Sequence, residues 1–345
     1  MKLLRIILIV SFAFIVALSI LNSLPVAPAY KHDNQWRIAA GDRPLIIPHG
    51  GAKKLYPENT IYSYEMIDKE GYDVFEIDLC LTADNKLITH HDIDILRTTG
   101  YEGKIIDKTY EELKQYNFAQ NFINLDGEHP FKDIDDHIDR GFIPATLDYL
   151  FEAYPEEFYI LEIKDTTDNS GEEVFIHAVD TLIDLIEEHN MNDKVIVASF
   201  DDKVIEYFKE ATDKKIMTGS GLTKSIIFTV LSTLKVDFFY KPTDAALMLP
   251  IKDDIKEPFL NTVKKIPAFL RNKFFSYDEE EDKYYTDVAK KGIIKDAHRH
   301  NMAVFFWTVN DKETMRELIE MDVDGIITDR PDLMKELLVE MGYYE

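Results

Sequence analysis

Cysteine is almost absent from this chain, since Cys80 is the single one among 345 residues. No intrachain disulfide can form, although this says little about compartment because many secreted enzymes also lack disulfides. Basic residues are scarce as well, with 39 lysines and arginines against 64 aspartates and glutamates and a formal net charge of -25 at pH 7. That balance argues against nucleic acid as a partner and against broad adhesion to an anionic membrane surface.

Long uncharged apolar runs are missing from most of the chain, with one exception near its start. Residues 6–24 (IILIVSFAFIVALSILNSL) carry no charge and follow Lys2 and Arg5. The run falls within the range for one membrane-spanning helix, and the preceding positive charges place the bulk of the protein outside the cytoplasm. The alternative is a cleaved signal peptide, for which residues 27–29 (APA) are a poor cleavage site.

These features divide the chain into three parts. Residues 1–24 are expected to be a membrane anchor or signal segment, residues 25–43 a tether, and residues 44–345 the folded domain. We therefore expect a membrane-anchored protein whose folded domain is extracytoplasmic, or a secreted protein if the segment is cleaved. The sequence indicates no protein partner.

After residue 44, short β-branched runs alternate with longer helical patterns. Eight strands are predicted, at residues 45–48, 74–81, 159–163, 195–199, 215–217, 244–249, 303–309 and 325–328. Alternation of strands and helices favours an α/β fold with a parallel sheet, and eight such units predict a (β/α)8 TIM barrel with its active site at the strand ends. Residues 86–90 follow the second strand after so short a turn that they predict an antiparallel β-hairpin, with an irregular insertion over residues 101–145.

Two segments in the second half of the chain fit the barrel pattern less well. Residues 225–240 (SIIFTVLSTLKVDFFY) are apolar, but they are too short for a second membrane span and include Lys235 and Asp237. We expect a packed helix or a lip of the barrel there. Residues 252–285 are mixed in charge and rich in aromatic side chains, and the sequence predicts no definite element for them.

Carboxylates occur at the spacing of a strand in two of the predicted barrel strands. Glu76 and Asp78 lie two residues apart, so both point to one face, where they repel each other unless a cation lies between them. Glu162 and Lys164 share a face at the end of another strand, which suits a hard cation and a phosphate. The alternatives are a solvated edge strand for the first pair and a surface ion pair for the second.

Two histidines follow predicted strands. His49 comes after an apolar strand and precedes Gly50 and Gly51, which allow backbone or ligand to approach closely. His91 ends the hairpin strand and is followed by Asp92, a carboxylate that can orient an imidazole and raise its basicity. Each histidine alone is as compatible with a structural hydrogen bond as with catalysis.

The order and spacing of these residues resemble the glycerophosphodiester phosphodiesterase family. The matching pieces are His49, residues 57–60 (PENT), Glu76 with Asp78, His91 with Asp92, residues 96–99 (LRTT), residues 161–164 (LEIK), residues 307–310 (WTVN) and residues 324–331 (DGIITDRP). They cover nearly all of the chain after residue 44. The resemblance implies a TIM-barrel catalytic domain that hydrolyses a glycerophosphodiester to sn-glycerol 3-phosphate and an alcohol, with a divalent metal, Ca²⁺ or Mg²⁺.

The resemblance also implies a role for each site residue. Metal ligands would be Glu76, Asp78 and Glu162, and the general acid/base pair would be His49 and His91. Supporting roles would fall to Glu58, as a ligand or as a group that orients a histidine, to Lys164 at the phosphate, and to Trp307 in the pocket wall.

One position departs from the family pattern. The family usually has His-Arg-Gly where this chain has His49-Gly50-Gly51. The candidates for supplying the missing positive charge are Lys53 and Lys54, although an ammonium does not reproduce the geometry of a guanidinium. The expected function is therefore metal-dependent hydrolysis of glycerophosphodiesters. The alternatives are a phospholipase D-like or C-like hydrolase of lysophospholipids, or a catalytically weak binding or sensing module.

Overall fold

The computed structural model describes residues 28–252, 254–257 and 259–344, together with the single residues 9, 16 and 20. The predicted helix over residues 6–24 therefore lies outside the described residues, apart from those three positions. Among the residues that are described, no helix is both long enough and apolar enough to cross a membrane.

Eleven strands occur in the described part of the chain. They are β1 (Leu45–Pro48), β2 (Val74–Leu81), β3 (Leu87–Thr89), β4 (Phe158–Ile163), β5 (Val195–Ala198), β6 (Met217–Thr218), β7 (Ala246–Pro250), β8 (Phe275–Asp278), β9 (Lys283–Thr286), β10 (Ala303–Trp307) and β11 (Gly325–Thr328).

Eight of these strands form the barrel as two parallel arcs. One arc has the order β1-β11-β10-β7, and the other has the order β2-β4-β5-β6 with β3 antiparallel at its edge. A parallel bridge between Gly219 and Ala246 joins the arcs on one side, and β1 packs beside β2 on the other. The predicted (β/α)8 barrel and its hairpin after the second strand are thus present.

Helices surround the barrel and occupy its insertions. They are α1 (Ile61–Glu70), α2 (Leu96–Thr99), α3 (Tyr110–Leu113), α4 (Leu147–Ala153), α5 (Glu172–Glu188), α6 (Asp202–Ala211), α7 (Leu222–Thr233), α8 (Phe259–Lys265), α9 (Ala268–Arg271), α10 (Lys291–Arg299), α11 (Lys312–Glu320) and α12 (Pro331–Glu340). Short 3-10 turns lie at His49–Gly51, Ile105–Asp107 and Asp237–Phe239.

The alternation of side chains along β2 explains how the sequence builds both the core and the site. Phe75, Ile77 and Leu79 point outward and are buried in the apolar layer between the strands and the helices. Glu76 and Asp78 have the opposite parity, and they point into the barrel. The period of two thus places apolar groups in the core and carboxylates at the barrel mouth.

Most predicted elements lie within two residues of their observed bounds, and the exceptions have local causes. Helix α10 begins at Lys291, after residues 283–286 have paired with β8 in a hairpin that the sequence does not predict. The unassigned residues 252–285 contain α8, α9 and most of that hairpin. Residues 225–240 contribute most of α7, the packed helix that the sequence predicts.

Residues 28–38 close the floor of the barrel, at the end opposite the site. The Trp36 indole is buried among the first inward-facing side chains of the strands, and its ring contacts Phe158 and Phe305 edge-on. Asp324 accepts a hydrogen bond from the Ile38 amide at 2.8 Å and is paired with Arg37. Part of the predicted tether over residues 25–43 is therefore packed on the barrel.

Candidate active site

Three carboxylates converge at the C-terminal ends of neighbouring strands. β2 and β4 pair in parallel with Asp78 opposite Glu162, so the strand register brings Glu76, Asp78 and Glu162 together. One oxygen of each lies within 4.8 Å of the other two. Glu76 and Asp78 are buried, while Glu162 borders the open cavity. The three predicted metal ligands thus form one cluster.

Two lysines balance this negative charge. Lys164 Nζ lies 2.6 Å from Glu162 Oε1 and 3.0 Å from Asp78 Oδ1. Lys53 Nζ lies 3.3 Å from the other Asp78 oxygen. Lys53 and Lys164 hold the pKa of Asp78 well below its usual range, although burial acts in the opposite direction. Asp78 is therefore a carboxylate anion in this site.

Glu76 is in a different electrostatic position. Burial and the nearby Asp78 anion raise its pKa, while His49 and Lys53 lower it to a smaller extent. Its Oε2 accepts a hydrogen bond of 2.6 Å from the Gly50 amide. The ionised form of Glu76 is thus disfavoured beside Asp78, and a further cation between the carboxylates would favour it.

The donor set fits a divalent cation. Carboxylate oxygens are the ligands that Ca²⁺ and Mg²⁺ prefer. Asp78 Oδ1 is buried and lies 3.0 Å from the Lys164 ammonium, but it makes no hydrogen bond of favourable geometry. Glu76, Asp78 and Glu162 are the residues that would hold the ion.

His49 is held in a defined orientation at the end of β1. Its Nδ1 lies 2.7 Å from Asp329 Oδ1, and its Nε2 lies 3.1 Å from Lys53 Nζ. Asp329 follows β11 and also accepts a hydrogen bond of 2.8 Å from Asn310 Nδ2. Burial and Lys53 lower the pKa of His49, but Asp329 and the acidic cluster outweigh them, so this pKa lies above its ordinary value.

The loop after β1 decides between the two lysines considered for the missing arginine. Lys53 points into the site, whereas Lys54 is exposed on the surface. Gly50 has φ +51°, and a β-carbon added there would collide with the Lys53 side chain. Lys53 thus brings a positive charge to the site from the space beside Gly50.

The second predicted catalytic histidine belongs to a chain of charged groups at the rim. His91 Nδ1 lies 2.8 Å from Asp92 Oδ1, and the other Asp92 oxygen accepts a hydrogen bond of 2.6 Å from Arg97 Nε. Arg97 also binds Glu58 through two contacts of 2.5 and 2.9 Å. Glu58 is therefore linked to His91 through Arg97 and Asp92, and it lies outside the cluster of three carboxylates. This arrangement favours the orienting role for Glu58 over the role of a ligand.

A cavity of about 920 Å³ opens beside the cluster and is lined by His91, Glu162, Lys164 and Phe200. The Trp307 ring lies 5.5 Å from the Phe200 ring in an edge-on contact. Trp307 ends β10, so this aromatic pair stands at the barrel mouth. Aromatic walls with a charged end suit a small ligand that is anionic at one side and apolar at the other.

Sequence reasoning assigned no role to Arg97, Asp329 or Asn59, which the structure places in the site. Asn59 Nδ2 donates a hydrogen bond of 2.9 Å to Asp78 Oδ2. Asp329 could have been found from its position, because it directly follows a barrel strand, as His49 does. Asn59 lies on a loop and Arg97 on the short helix α2, and the sequence predicts no side-chain direction for either of them.

A parallel eight-stranded barrel with carboxylates, lysines and imidazoles at the C-terminal strand ends is a TIM-barrel enzyme in architecture. The comparisons identify the family. The model of the glycerophosphoryl diester phosphodiesterase family matches residues 49–333, and the chain belongs to this family. The predicted family and enzyme class are thereby confirmed.

Individual proteins agree with this assignment. A glycerophosphodiester phosphodiesterase of Caldanaerobacter subterraneus subsp. tengcongensis is 26% identical over 302 residues, covering 86% of this chain and 99% of the relative. A glycerophosphoryl diester phosphodiesterase domain from Mycobacterium tuberculosis has a TM-score of 0.64 at 14% identity, covering 87% of this chain and 100% of the other. An Oleispira antarctica phosphodiesterase, solved in complex with the product sn-glycerol-3-phosphate, has a TM-score of 0.59 at 18% identity and covers 86% of this chain and 97% of its own. At these identities, the two solved structures support the fold.

Proposed function

We propose that this chain hydrolyses glycerophosphodiesters to sn-glycerol 3-phosphate and an alcohol. The observation that carries the proposal is the convergence of Glu76, Asp78 and Glu162 within 4.8 Å beside two lysines at the barrel mouth. Such a set accepts a hard cation and a phosphate together. We further propose that the ion is Ca²⁺ or Mg²⁺, held by these three carboxylates, where it supplies Lewis-acid neutralisation of the phosphate charge.

The lysines and imidazoles perform the remaining steps. Lys53 and Lys164 attract the phosphate and stabilise the negative charge that develops on its oxygens. One of the two histidines, His49 and His91, takes a proton from the attacking oxygen, and the other gives a proton to the departing alcohol oxygen as its bond to phosphorus breaks. The attacking oxygen comes from water or from a hydroxyl of the substrate, and either route consumes one water in total.

The charged chains behind the histidines hold them ready for these roles. Asp329 fixes the His49 ring through Nδ1 and leaves Nε2 facing Lys53 and the acidic cluster. Asp92 binds Nδ1 of His91 in the same way. A carboxylate at Nδ1 sets the tautomer and stabilises the protonated ring, as general acid/base catalysis requires.

The location is part of the same proposal. Residues 6–24 would anchor the protein in a membrane with the barrel on the outer side, because Lys2 and Arg5 precede the apolar run. Substrates would then be lipid-derived or envelope phosphodiesters. Cleavage of the segment would instead give a secreted enzyme with the same site.

A metal-dependent assay on the full chain tests the reaction. Purified protein is treated with a chelator and incubated with glycerophosphocholine, alone and with added Ca²⁺ or Mg²⁺, and sn-glycerol 3-phosphate is measured. We expect product only with added metal. Absence of product at every metal tested would leave the binding or sensing module as the better interpretation.

Variants test the assigned residues. Glu76→Gln should abolish turnover and weaken Ca²⁺ binding measured by calorimetry, and His49→Ala should abolish turnover with Ca²⁺ binding retained. Glu210→Gln, at an exposed carboxylate on α6, is the matched control and should behave as the unmodified protein. Products from a lysophosphatidylcholine separate the lipase alternatives, since free choline indicates a D-type cleavage and phosphocholine a C-type cleavage.

A further inference from the structure

Helix α7 presents an apolar face to the outside of the barrel. Its inner side packs through Phe228, which is fully buried, while Leu222 and Ile226 are each 52% exposed. Ile227 and Leu234 are also exposed, and Phe239 follows in the next turn with 68% of its surface accessible. Five large apolar residues within 18 positions thus lie uncovered on one flank, which is unusual for a surface in contact with water alone.

The segment that carries this flank has more lysines than acidic residues, unlike the protein as a whole. Residues 214–243 contain five lysines and a single acidic residue, Asp237, in a chain whose net charge is -25. Asp237 is buried and paired with His300, so it contributes no negative charge to the surface. Lys235 and Lys241 are exposed on either side of Phe239, and Lys235 is also paired with Asp296. The flank is therefore apolar with a cationic border.

The described residues that follow residue 27 contact the barrel next to the inner side of α7. The Pro28 carbonyl lies against His300 Nδ1, and the His300 carbonyl accepts a hydrogen bond of 2.9 Å from the Tyr30 amide. The His300 ring packs edge-on against Phe228 of α7 at 5.6 Å. Only residues 25–27 separate this point from the uncharged run over residues 6–24.

We propose that the outward face of α7, together with Phe239, lies against the anionic lipid bilayer in which residues 6–24 are anchored. An uncharged apolar face with a lysine border is the pattern of interfacial membrane contact, in which side chains enter the acyl boundary and lysines meet anionic headgroups. This inference rests on the proposed membrane anchoring and is independent of the proposed reaction.

Two other partners could cover the apolar face of α7, but each matches its charged border less well. Residues 6–24 contain no acidic side chain, so packing them on α7 would bury the apolar face but offer no anionic group to Lys241. A second copy of the chain, joined through the same face, would set one lysine border near the other. An anionic bilayer accommodates both the apolar face and its charges. The contact is local, so it agrees with the absence of broad adhesion expected from the net charge.

Site-directed labelling of the full chain tests the proposal. Cys80 is buried, so one introduced surface cysteine can carry an environment-sensitive fluorophore. The test variant is Ile226→Cys, and the matched control is Val339→Cys on α12, since these side chains are 52% and 55% exposed. Each is reconstituted into vesicles of phosphatidylcholine and phosphatidylglycerol, with and without nitroxide-labelled lipid.

We expect the probe at position 226 to be blue-shifted and to lose roughly half of its emission to lipid-borne nitroxide, while the probe at position 339 changes little. Adding Lys241→Glu should reduce this quenching, and hydrolysis of soluble glycerophosphocholine should be unchanged. Ile227→Cys provides a second probe position on the same face.

The opposite results are equally distinct. A blue shift at position 226 without quenching by lipid nitroxide would mean that protein covers the face, and would overturn the proposal. No shift in a protein that floats with the vesicles would leave the anchor intact and overturn the contact. A protein that does not float with the vesicles would overturn both the membrane anchor and the contact of α7 with the bilayer. The phosphodiesterase assay on the same samples reports separately on the proposed reaction.

Discussion

The Lys53 side chain occupies the volume that any side chain on residue 50 would need. Gly50 is the position where the family pattern has arginine, and its lack of a β-carbon leaves room for Lys53 to reach Asp78 and His49. The absence of an arginine at position 50 and the presence of the Lys53 ammonium in the site are thus linked, because both side chains need the same space. Residues 50 and 53 should therefore behave as a coupled pair in mutagenesis.

Lys53→Ala should lower kcat/KM for glycerophosphocholine by roughly 10- to 100-fold, because it removes a buried ammonium from the phosphate region. Lys54→Ala is the control and should be nearly silent, since Lys54 is exposed. Steady-state kinetics at saturating metal measure both. Equal effects of the two substitutions would mean that the ammonium of Lys53 does not act on the substrate.

Gly50→Arg alone should be strongly impaired, because the new side chain and Lys53 compete for one space. Combined with Lys53→Ala, the same substitution should regain activity relative to Gly50→Arg, since the space is then free and a cation is again present. A double-mutant cycle on kcat/KM measures this coupling. If the effects of Gly50→Arg and Lys53→Ala on kcat/KM are simply additive, the two side chains do not compete for one space.

Asp329→Asn should shift the pH dependence of kcat/KM. Burial and Lys53 lower the pKa of His49, and Asp329 is the largest of the groups that raise it above its ordinary value. Removing the carboxylate charge lowers this pKa, so the limb of the profile that reports His49 should move to lower pH, whether His49 acts as base or acid. Asp332→Asn, three residues further on, is the control. An unmoved profile would exclude His49 as the group observed.

Trp36→Ala should destabilise the protein by about 3–5 kcal/mol, because it empties the barrel floor of its largest side chain. Urea denaturation followed by circular dichroism measures the loss. Trp307→Ala is the contrasting variant, since Trp307 is only partly buried and stands at the opposite end. It should cost less stability while impairing turnover of the substrate. A small effect of Trp36→Ala would mean that residues 28–38 are dispensable for the barrel.

The fold and the acidic cluster follow closely from the sequence because both depend on short-range periodicity. A period of two places Glu76 and Asp78 on one face of β2, and the same rule applies to Glu162 on β4. Their meeting then requires only that parallel strands end at the same edge of the barrel.

Contacts between distant irregular segments could not be predicted in this way. Glu58 lies on a loop and Arg97 lies 39 residues further on in the short helix α2, so no strand period relates the directions of their side chains. The choice between Lys53 and Lys54 depends on a tight turn whose backbone geometry no periodicity reports. The docking of Trp36 depends on a cavity that exists only once all eight strands have closed.

The attachment of Pro28 to the barrel floor limits how far the barrel could lie from the proposed membrane anchor. With Leu24 at the end of the apolar run, four residue steps span at most about 14 Å before the chain is fixed to the barrel at His300. A flexible tether over all 19 residues 25–43 would allow the barrel a much wider range of distances from the anchor. Under the proposed anchoring of residues 6–24, the short strap would instead hold the barrel floor within that distance of the membrane surface, with the site at the opposite end of the barrel.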